Sequence, residues 1–342
     1  MKKQAKKKQA GVAFFLLNLA ASLVLVSSSA AAQPNGETTK ALTMLPASDV
    51  VMYVEVKRLL TEMMPRVLAG NPARQAQTAA EIEKFRATTG VDPRQFDRIA
   101  VSTKVLNPTP EVTKAQTAVI AQGTFSAPAI VAAGRLAAKG KYQEQKYGDK
   151  TIYLFSLNEQ VRLLGLFRMN VSDLALAVLD PNTLALGSLD SVRECIDVNK
   201  NGAVQNHAND ALLALATGTP NAVIGFGGNL PASVARNLQI GNEEIARNVA
   251  AIRQFYGSVG TTANGFDLLT VLRAEDANGA QGLSDTLGAL KQFAPLLAVS
   301  LPAPRGKIAQ TLVDNLQITK QGADVQLKLS VAPADFPALM GE

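Results

Sequence analysis

The sequence predicts an α+β fold, with largely antiparallel sheets packed against helices, in a pattern compatible with two similar halves. Apolar, β-branched runs of strand length follow one another across turn sequences. Asp180-Pro181-Asn182-Thr183, for example, would join the runs 174–179 and 184–188 as a hairpin. Segments of helical periodicity separate other runs. Strands that meet directly as hairpins, besides alternating with helices, favour antiparallel sheets over a doubly wound parallel sheet.

The first 32 residues have the features of an export signal. Five lysines precede an apolar run from Val12 to Val26, and Ala30-Ala31-Ala32 forms an A-x-A cleavage site before Gln33. This run of 15 residues is interrupted by Asn18 and is shorter than the roughly 20 apolar residues of a membrane-spanning helix. The sequence therefore predicts cleavage after Ala32 and a mature chain without a membrane span, in the periplasm or outside the cell.

The net charge of +6 belongs almost entirely to this leader. The chain has 34 basic and 28 acidic residues, and five of the basic residues lie in the signal, before the first acidic residue, Glu37. The mature chain is then nearly neutral, which gives no electrostatic reason to expect a nucleic-acid partner. Hydrophobic residues make up 47% of the chain and charged residues 18%, which is typical of a globular protein.

The predicted elements begin after a polar, turn-rich linker over 33–41. A β-branched and aromatic run predicts a strand over 49–56. Helical spacing of apolar residues from Leu59 predicts a helix that Pro65 limits. A second helix is predicted over 73–89, where a glycine follows and ends it.

The rest of the first half is predicted as strands and two further helices. Prolines predict a loop over 107–113, and charged residues predict a connection over 141–150. Ser126 is placed to cap a helix over 127–139. The other predicted elements are strands at 98–105, 117–125, 151–157, 161–169, 174–179 and 184–188 and a helix at 190–199.

A weak internal repeat suggests the two halves, 42–202 and 203–342. Ala118-Val119-Ile120 recurs as Ala222-Val223-Ile224, at an offset of 104 residues, each time as a strand that leads into a helix. The nearby run Gly225-Phe226-Gly227-Gly228 lacks the lysine and serine or threonine of a phosphate-binding loop and is interpreted as a turn at a strand end. The second half is predicted to contain helices at 232–238, 243–255 and 280–298 and strands at 258–262, 265–274, 315–320 and 324–331.

The inventory of reactive residues nominates no catalytic, cofactor-binding or metal site. Cys195 is the only cysteine and His207 the only histidine, so the usual ligand set of a catalytic zinc cannot be assembled. No G-x-S-x-G motif accompanies His207, which is interpreted as a loop residue. Cys195 is interpreted as a small buried side chain of helix 190–199 rather than a reactive thiol.

One segment resembles a calcium-binding loop in part. Residues 197–205 match the first nine positions of an EF-hand loop, with Asp197 first and Gly202 at the turn. Position twelve is Ala208, where a bidentate carboxylate is required. Because a helix that ends near residue 199 needs a stop and Asn201-Gly202 supplies one, the segment is interpreted as a helix end, and calcium binding is left open.

Three short motifs carry a resemblance to known proteins. They are Leu45-Pro46-Ala47-Ser48-Asp49 with the strand that follows, Gly123-Thr124-Phe125-Ser126, and Thr183-Leu184-Ala185-Leu186-Gly187-Ser188. The chain resembles exported bacterial proteins of uncharacterised families, with domains of unknown function built from repeated strand and helix units after a signal peptide. This resemblance implies export and supplies no catalytic residues.

The sequence thus predicts an exported, non-catalytic binding or scaffolding protein of the bacterial envelope, without a cofactor. Its partner would be an unknown envelope protein or a small apolar ligand. A periplasmic carrier of an apolar ligand is the first alternative, because the helix over 280–298 could cover a cavity above a sheet. The apolar residues of that helix are Leu283, Leu287, Leu290, Phe293, Leu296 and Leu297. A carboxylate-dependent hydrolase is the second alternative, although no pair of carboxylates can be nominated.

Overall fold

The chain folds around one antiparallel sheet of twelve described strands, which confirms the α+β class. The computed structural model describes residues 36–109, 112–163, 167–200, 207–231, 242–262, 265–298 and 305–332. The strands are β1 (Val50–Val54), β2 (Phe96–Thr109), β3 (Val112–Gly123), β4 (Tyr142–Tyr147), β5 (Lys150–Leu163), β6 (Phe167–Asp180), β7 (Thr183–Gly187), β8 (Ala222–Asn229), β9 (Ile252–Thr262), β10 (Gly265–Ala274), β11 (Gln317–Gln321) and β12 (Asp324–Val331).

Helices lie on both faces of this sheet. They are α1 (Gly36–Thr43), α2 (Val56–Arg58), α3 (Met64–Val67), α4 (Pro72–Thr89), α5 (Ala127–Ala137), α6 (Leu189–Lys200), α7 (Asp210–Thr217), α8 (Glu243–Ala250), α9 (Ala277–Ala298) and α10 (Arg305–Asn315). A π-helical turn, Leu59–Met63, joins α2 to α3, and a short 3₁₀ turn, Pro93–Gln95, precedes β2.

The order of the strands places β1 and β8 side by side near the centre of the sheet. Across the sheet it is β11-β12-β10-β9-β8-β1-β2-β3-β7-β6-β5-β4, and the central pair β1 and β8 is antiparallel. From this pair, β1-β2-β3 extends in one direction and β8-β9-β10 in the other. Along the chain, α5 follows β3 and α9 follows β10. The counterpart of β8 is therefore β1, whereas the sequence repeat aligned β8 with β3. One sheet runs through both predicted halves.

One face of the sheet, which we call the α7 face, is covered by α1, α6 and α7. Val51, Ala100 and Ile120 point to this face and pack with Leu42 of α1 and Leu212 of α7 in one core. Val51, Ala100 and Ile120 are all 0% exposed. This core therefore closes the centre of the sheet completely on the α7 side.

The opposite face, which we call the α9 face, carries helices at both ends and at one corner of the centre. In the first half, α5 packs on Phe155, Leu176 and Leu184. In the second half, α9 packs on Leu272 and Val325. The segment from α2 to α3 packs against Val54, Ile224 and Val259 at one end of the central strands.

Most predicted elements are present, the predicted leader 1–32 and helix 232–238 lie outside the described residues, and the following predictions were wrong. The predicted linker 33–41 becomes helical from Gly36, because Ala41 and Leu42 find a place on the sheet. Strands β2 and β3 extend into the predicted loop 107–113 up to Thr109 and from Val112, and the predicted connection 141–150 contains the edge strand β4. The predicted helix 243–255 ends at Ala250, and β9 begins at Ile252. In each case, strand pairing or packing overrides local propensity.

A buried polar cluster holds α1 to the sheet. Thr38 of α1 donates a hydrogen bond to the Glu55 carboxylate at the end of β1. Arg98 Nε lies 3.5 Å from Glu55 Oε1, and an Arg98 guanidinium nitrogen lies 3.8 Å from Glu37 Oε2. Burial, with the Glu55 charge as a further cause, raises the pKa of the neighbouring Tyr53 to about 12, so its phenol stays neutral. Glu55 thereby joins the helix and the sheet through one carboxylate.

Candidate functional site

The centre of the α9 face carries apolar side chains that are only partly buried. We call this surface the central floor, and it consists of Val50, Met52, Val101, Val119, Phe226 and Phe255. The register places Val119, Val101, Met52 and Phe226 in one row across four adjacent strands. At about 4.8 Å between strands, the five central strands β3, β2, β1, β8 and β9 span roughly 19 Å.

This partial burial contrasts with the other side of the same strands. Val51 on the α7 face is fully buried, while Val50 and Met52 on either side of it are half-buried. A continuous apolar strand such as β1 is expected where both faces of a sheet are covered. Here β1 supplies apolar residues to both faces. At the centre of the sheet, described helices cover the α7 face only.

Two glycines make room for the phenylalanine rings of the floor. A Cβ added to Gly228 would lie 2.6 Å from the Phe255 ring, and one added to Gly257 would lie 2.6 Å from the Phe226 ring. Each ring thus occupies the space above a glycine of a neighbouring strand, and the ring centroids are 6.4 Å apart. The two rings are neighbours on the floor, with their planes inclined by 37°.

The glycines of β8 lie within the strand and allow close packing on both faces of the sheet. The prediction of a turn at 225–228 was therefore wrong. Gly225 and Gly227 point to the α7 face, where an added Cβ would meet the backbone carbonyl oxygens of Ala216 and Leu212 in α7. Helix and strand can approach this closely only because both positions lack a side chain. The glycine-rich run is therefore the middle of a central strand.

The helix predicted over 280–298 is α9, and its apolar residues divide between core and surface. Leu283 is buried, and Leu287 packs beside it against the sheet. Phe293 and Leu296, one turn apart in the second part of the helix, are 61% and 70% exposed. The side chain of Leu297 lies outside the described part of the structure. Helix α9 therefore flanks the central floor in the second half, as α5 does in the first.

The isolated reactive residues have structural partners. Asp197 Oδ2 accepts a hydrogen bond of 2.8 Å from the Tyr147 hydroxyl, and residues 201–206 of the segment that partly resembles a calcium loop lie outside the described residues. His207 Nδ1 lies 2.7 Å from the Ala208 carbonyl oxygen, and the His207 backbone forms a bridge with Pro46. Within the described ranges, no three His, Cys, Asp or Glu residues cluster in a way that could hold a metal ion.

Cys195 should not react with thiol reagents in the folded protein. It is 0% exposed in the core under α6, and burial raises the pKa of its thiol to about 12. Because the thiolate is the reactive species, we expect no labelling by dithiobis-nitrobenzoate at mildly alkaline pH and complete labelling in concentrated guanidinium chloride. Rapid labelling of the native protein would contradict this burial.

The central floor was not nominated from the sequence, although a signal was present. The run Val50-Val51-Met52-Tyr53-Val54 is apolar at every position. Such a strand needs a cover on both faces, so an apolar partner for one face could have been suspected. Which face lacks part of its cover depends on where the helices pack, and this is a tertiary property.

Comparisons with known proteins give a structural likeness only. No protein-family model matches the sequence, and the search of curated proteins gives no match. Among solved structures, crystal form III of TP0453 is similar over 91% of this chain and 99% of that chain, with 10% sequence identity and a TM-score of 0.46. Crystal form IV of TP0453 gives 10% identity and a TM-score of 0.44, over 88% of this chain and 96% of that one. In the described residues, no helix is both long and apolar enough to cross a membrane.

Proposed function

We propose that this chain is an exported, non-catalytic binding protein of the bacterial envelope that carries an apolar molecule on the central floor. The observation that supports this function is the partial burial of Met52, Val101, Val119 and Phe226 in one row. Apolar residues at the centre of a large sheet are ordinarily removed from water by a packed layer. A ligand that completes this layer would gain the corresponding hydrophobic free energy.

The dimensions and composition of the floor favour a molecule with an extended apolar part. The five residues of β1, from Val50 to Val54, cover roughly 13 Å along the strand from the first Cα to the last. A hydrocarbon chain on this surface would gain about 0.8 kcal/mol for each buried CH₂ group, so a chain of moderate length reaches useful affinity. Helices α5 and α9 on the two sides would restrict the ligand to the space between them.

Two isosteric substitutions on the floor should weaken this binding. Val101 and Val119 lie opposite each other on β2 and β3, and threonine at both positions keeps the shape and the strand propensity. Each added hydroxyl would be desolvated against an apolar ligand, at about 1 kcal/mol or more. We therefore expect the double variant Val101→Thr/Val119→Thr to bind the apolar fluorophore N-phenylnaphthylamine at least about tenfold more weakly than the wild type does.

The measurement is a fluorescence titration of the exported, processed protein. Leu136→Ser is the matched control, because Leu136 is an exposed apolar residue of α5 outside the floor. This variant should bind N-phenylnaphthylamine with the affinity of the wild type. Thermal unfolding of each variant verifies that it is folded. The proposed function is wrong if the wild type shows no saturable binding, or if the control and the double variant lose affinity equally.

A further inference from the structure

We infer that the apolar molecule carries an uncharged, hydrogen-bonding head group, which lies at the Thr103 and Thr117 end of the central floor. This inference rests on the proposed function and specifies its ligand. A long-chain alcohol or a neutral ester of a fatty acid represents the chemical class. Two hydroxyls at one end of the floor, the uncharged side chains of the floor and a carboxylate at the same end favour this class.

Thr103 and Thr117 form a polar end to an otherwise apolar surface. They face each other on β2 and β3, one row away from Val101 and Val119, and therefore lie on the α9 face. Thr103 is also paired with Val50 of the floor. The other end of the same strands is covered by the α2 to α3 segment, which packs on Val54 and Ile224. A ligand would thus have its apolar end against this segment and its head near the threonines.

The two threonines retain hydrogen-bonding capacity for a ligand. Their Oγ1 atoms are 3.3 Å apart, so one hydroxyl donates to the other. Two hydroxyls have two protons, and the mutual bond uses one of them. The second proton and the remaining lone pairs can donate to and accept from an alcohol or an ester. This geometry matches a neutral head group with both kinds of hydrogen-bonding atom.

The central floor offers no counter-charge to an ionised head group. On the five central strands, the described residues that face the α9 side in the three rows level with Val50, Met52 and Val54 are uncharged. They are Val50, Met52, Val54, Ile99, Val101, Thr103, Thr117, Val119, Ala121, Ile224, Phe226, Gly228, Phe255, Gly257 and Val259. Moving a carboxylate from water to such a surface without a partner is strongly unfavourable. Lys104, the neighbour of Thr103 in the sequence, has the alternate orientation and faces the other side of the sheet.

A carboxylate at the threonine end, that of Asp49, adds to this preference. Asp49 Oδ2 accepts a hydrogen bond of 2.7 Å from the Val105 backbone amide, and the Asp49 amide donates to the Thr103 carbonyl oxygen at 3.0 Å. This fixes a negative charge beside the proposed position of the head group. An anionic head would be repelled there, whereas a neutral head would not.

The inference is tested by competition between ligands that share one chain length and differ in the head group. Decanol and decanoate would each displace N-phenylnaphthylamine from the wild-type protein at mildly alkaline pH. We expect decanol to compete at a concentration at least tenfold lower than decanoate. Equal or tighter competition by decanoate would overturn the inference while leaving the proposed function intact, because the fluorophore would still have bound. Absence of fluorophore binding would overturn the proposed function itself.

Two variants locate the head group. Thr103→Val/Thr117→Val removes both hydroxyls at nearly constant volume, and we expect decanol to bind at least threefold more weakly to it, with the affinity for N-phenylnaphthylamine within twofold of the wild type. Thr103→Ser/Thr117→Ser keeps both hydroxyls and should retain the preference for decanol over decanoate. If the valine variant binds decanol as tightly as the wild type does, the assignment of the head group to these threonines is wrong.

Discussion

Replacing Gly257 with alanine should destabilise the protein by about 3 kcal/mol or more, the largest effect that we expect from adding a single methyl group. The added Cβ would overlap the carbonyl oxygen of Leu269 on the neighbouring strand and would lie 2.6 Å from the Phe226 ring. A ring can rotate away, but the carbonyl belongs to the β9–β10 pairing, in which Gly257 is opposite Thr270. The backbone of the sheet would have to move.

Gly260 provides the matched control for this substitution on the same strand. An alanine Cβ at Gly260 would find its nearest neighbour, the Asn221 carbonyl oxygen, at 3.8 Å, which is ordinary van der Waals contact. Gly260→Ala should therefore change the free energy of unfolding by less than about 0.5 kcal/mol. Urea unfolding followed by circular dichroism measures both variants. Equal stabilities of the two variants would show that β9 and β10 are not as closely packed as described.

Glu55→Ala should destabilise the protein by about 3 kcal/mol, because it removes one partner of a buried ion pair. Glu55 is 8% exposed, accepts the hydrogen bond from Thr38, and is the nearer of the two carboxylates beside Arg98. The variant would leave the Arg98 guanidinium buried with only the exposed Glu37 as a described counter-ion. The contact between α1 and the sheet would also lose its buried hydrogen bond.

Glu37→Ala is the control, since Glu37 approaches the same arginine from a side chain that is 62% exposed. Exposed ion pairs contribute little, so the expected loss is less than about 1 kcal/mol. The double variant Glu55→Ala/Arg98→Ala should lose less stability than the sum of its single variants, because no unpaired charge remains. Additive losses in urea unfolding would contradict a direct coupling between Glu55 and Arg98.

The α+β class was predictable because strands and helices have local signals in this chain. The run at 49–56 and the turn at 180–183 predicted β1 and the β6–β7 hairpin, and the glycine after residue 89 predicted the end of α4. Helix α1 and strand β4 have no comparable signal. Both consist largely of polar residues and become ordered through contacts with distant residues, such as the pairing of Tyr142 with Phe155.

The candidate site was harder to predict from the sequence than the fold was. In the alternative of a carrier, the helix at 280–298 could cover a cavity; the structure buries Leu283 against the sheet and leaves Phe293 and Leu296 exposed. The floor beside it contains Met52 of β1, Val101 of β2 and Phe226 of β8, which are far apart in the chain. Only the pairing of β1 with both β2 and β8 joins them in one row.

By itself, the sequence determined the kinds of element, the apolar character of the central strands, and the lack of the residues for a conventional zinc site. These properties follow from residue type and from spacing over a few residues. The tertiary structure decided the order of the strands, the burial of Glu55 with Arg98, and which face of β1 a described helix covers. Long-range pairing controls these features, since a residue's burial depends on the segments that meet it and not on its neighbours in the chain.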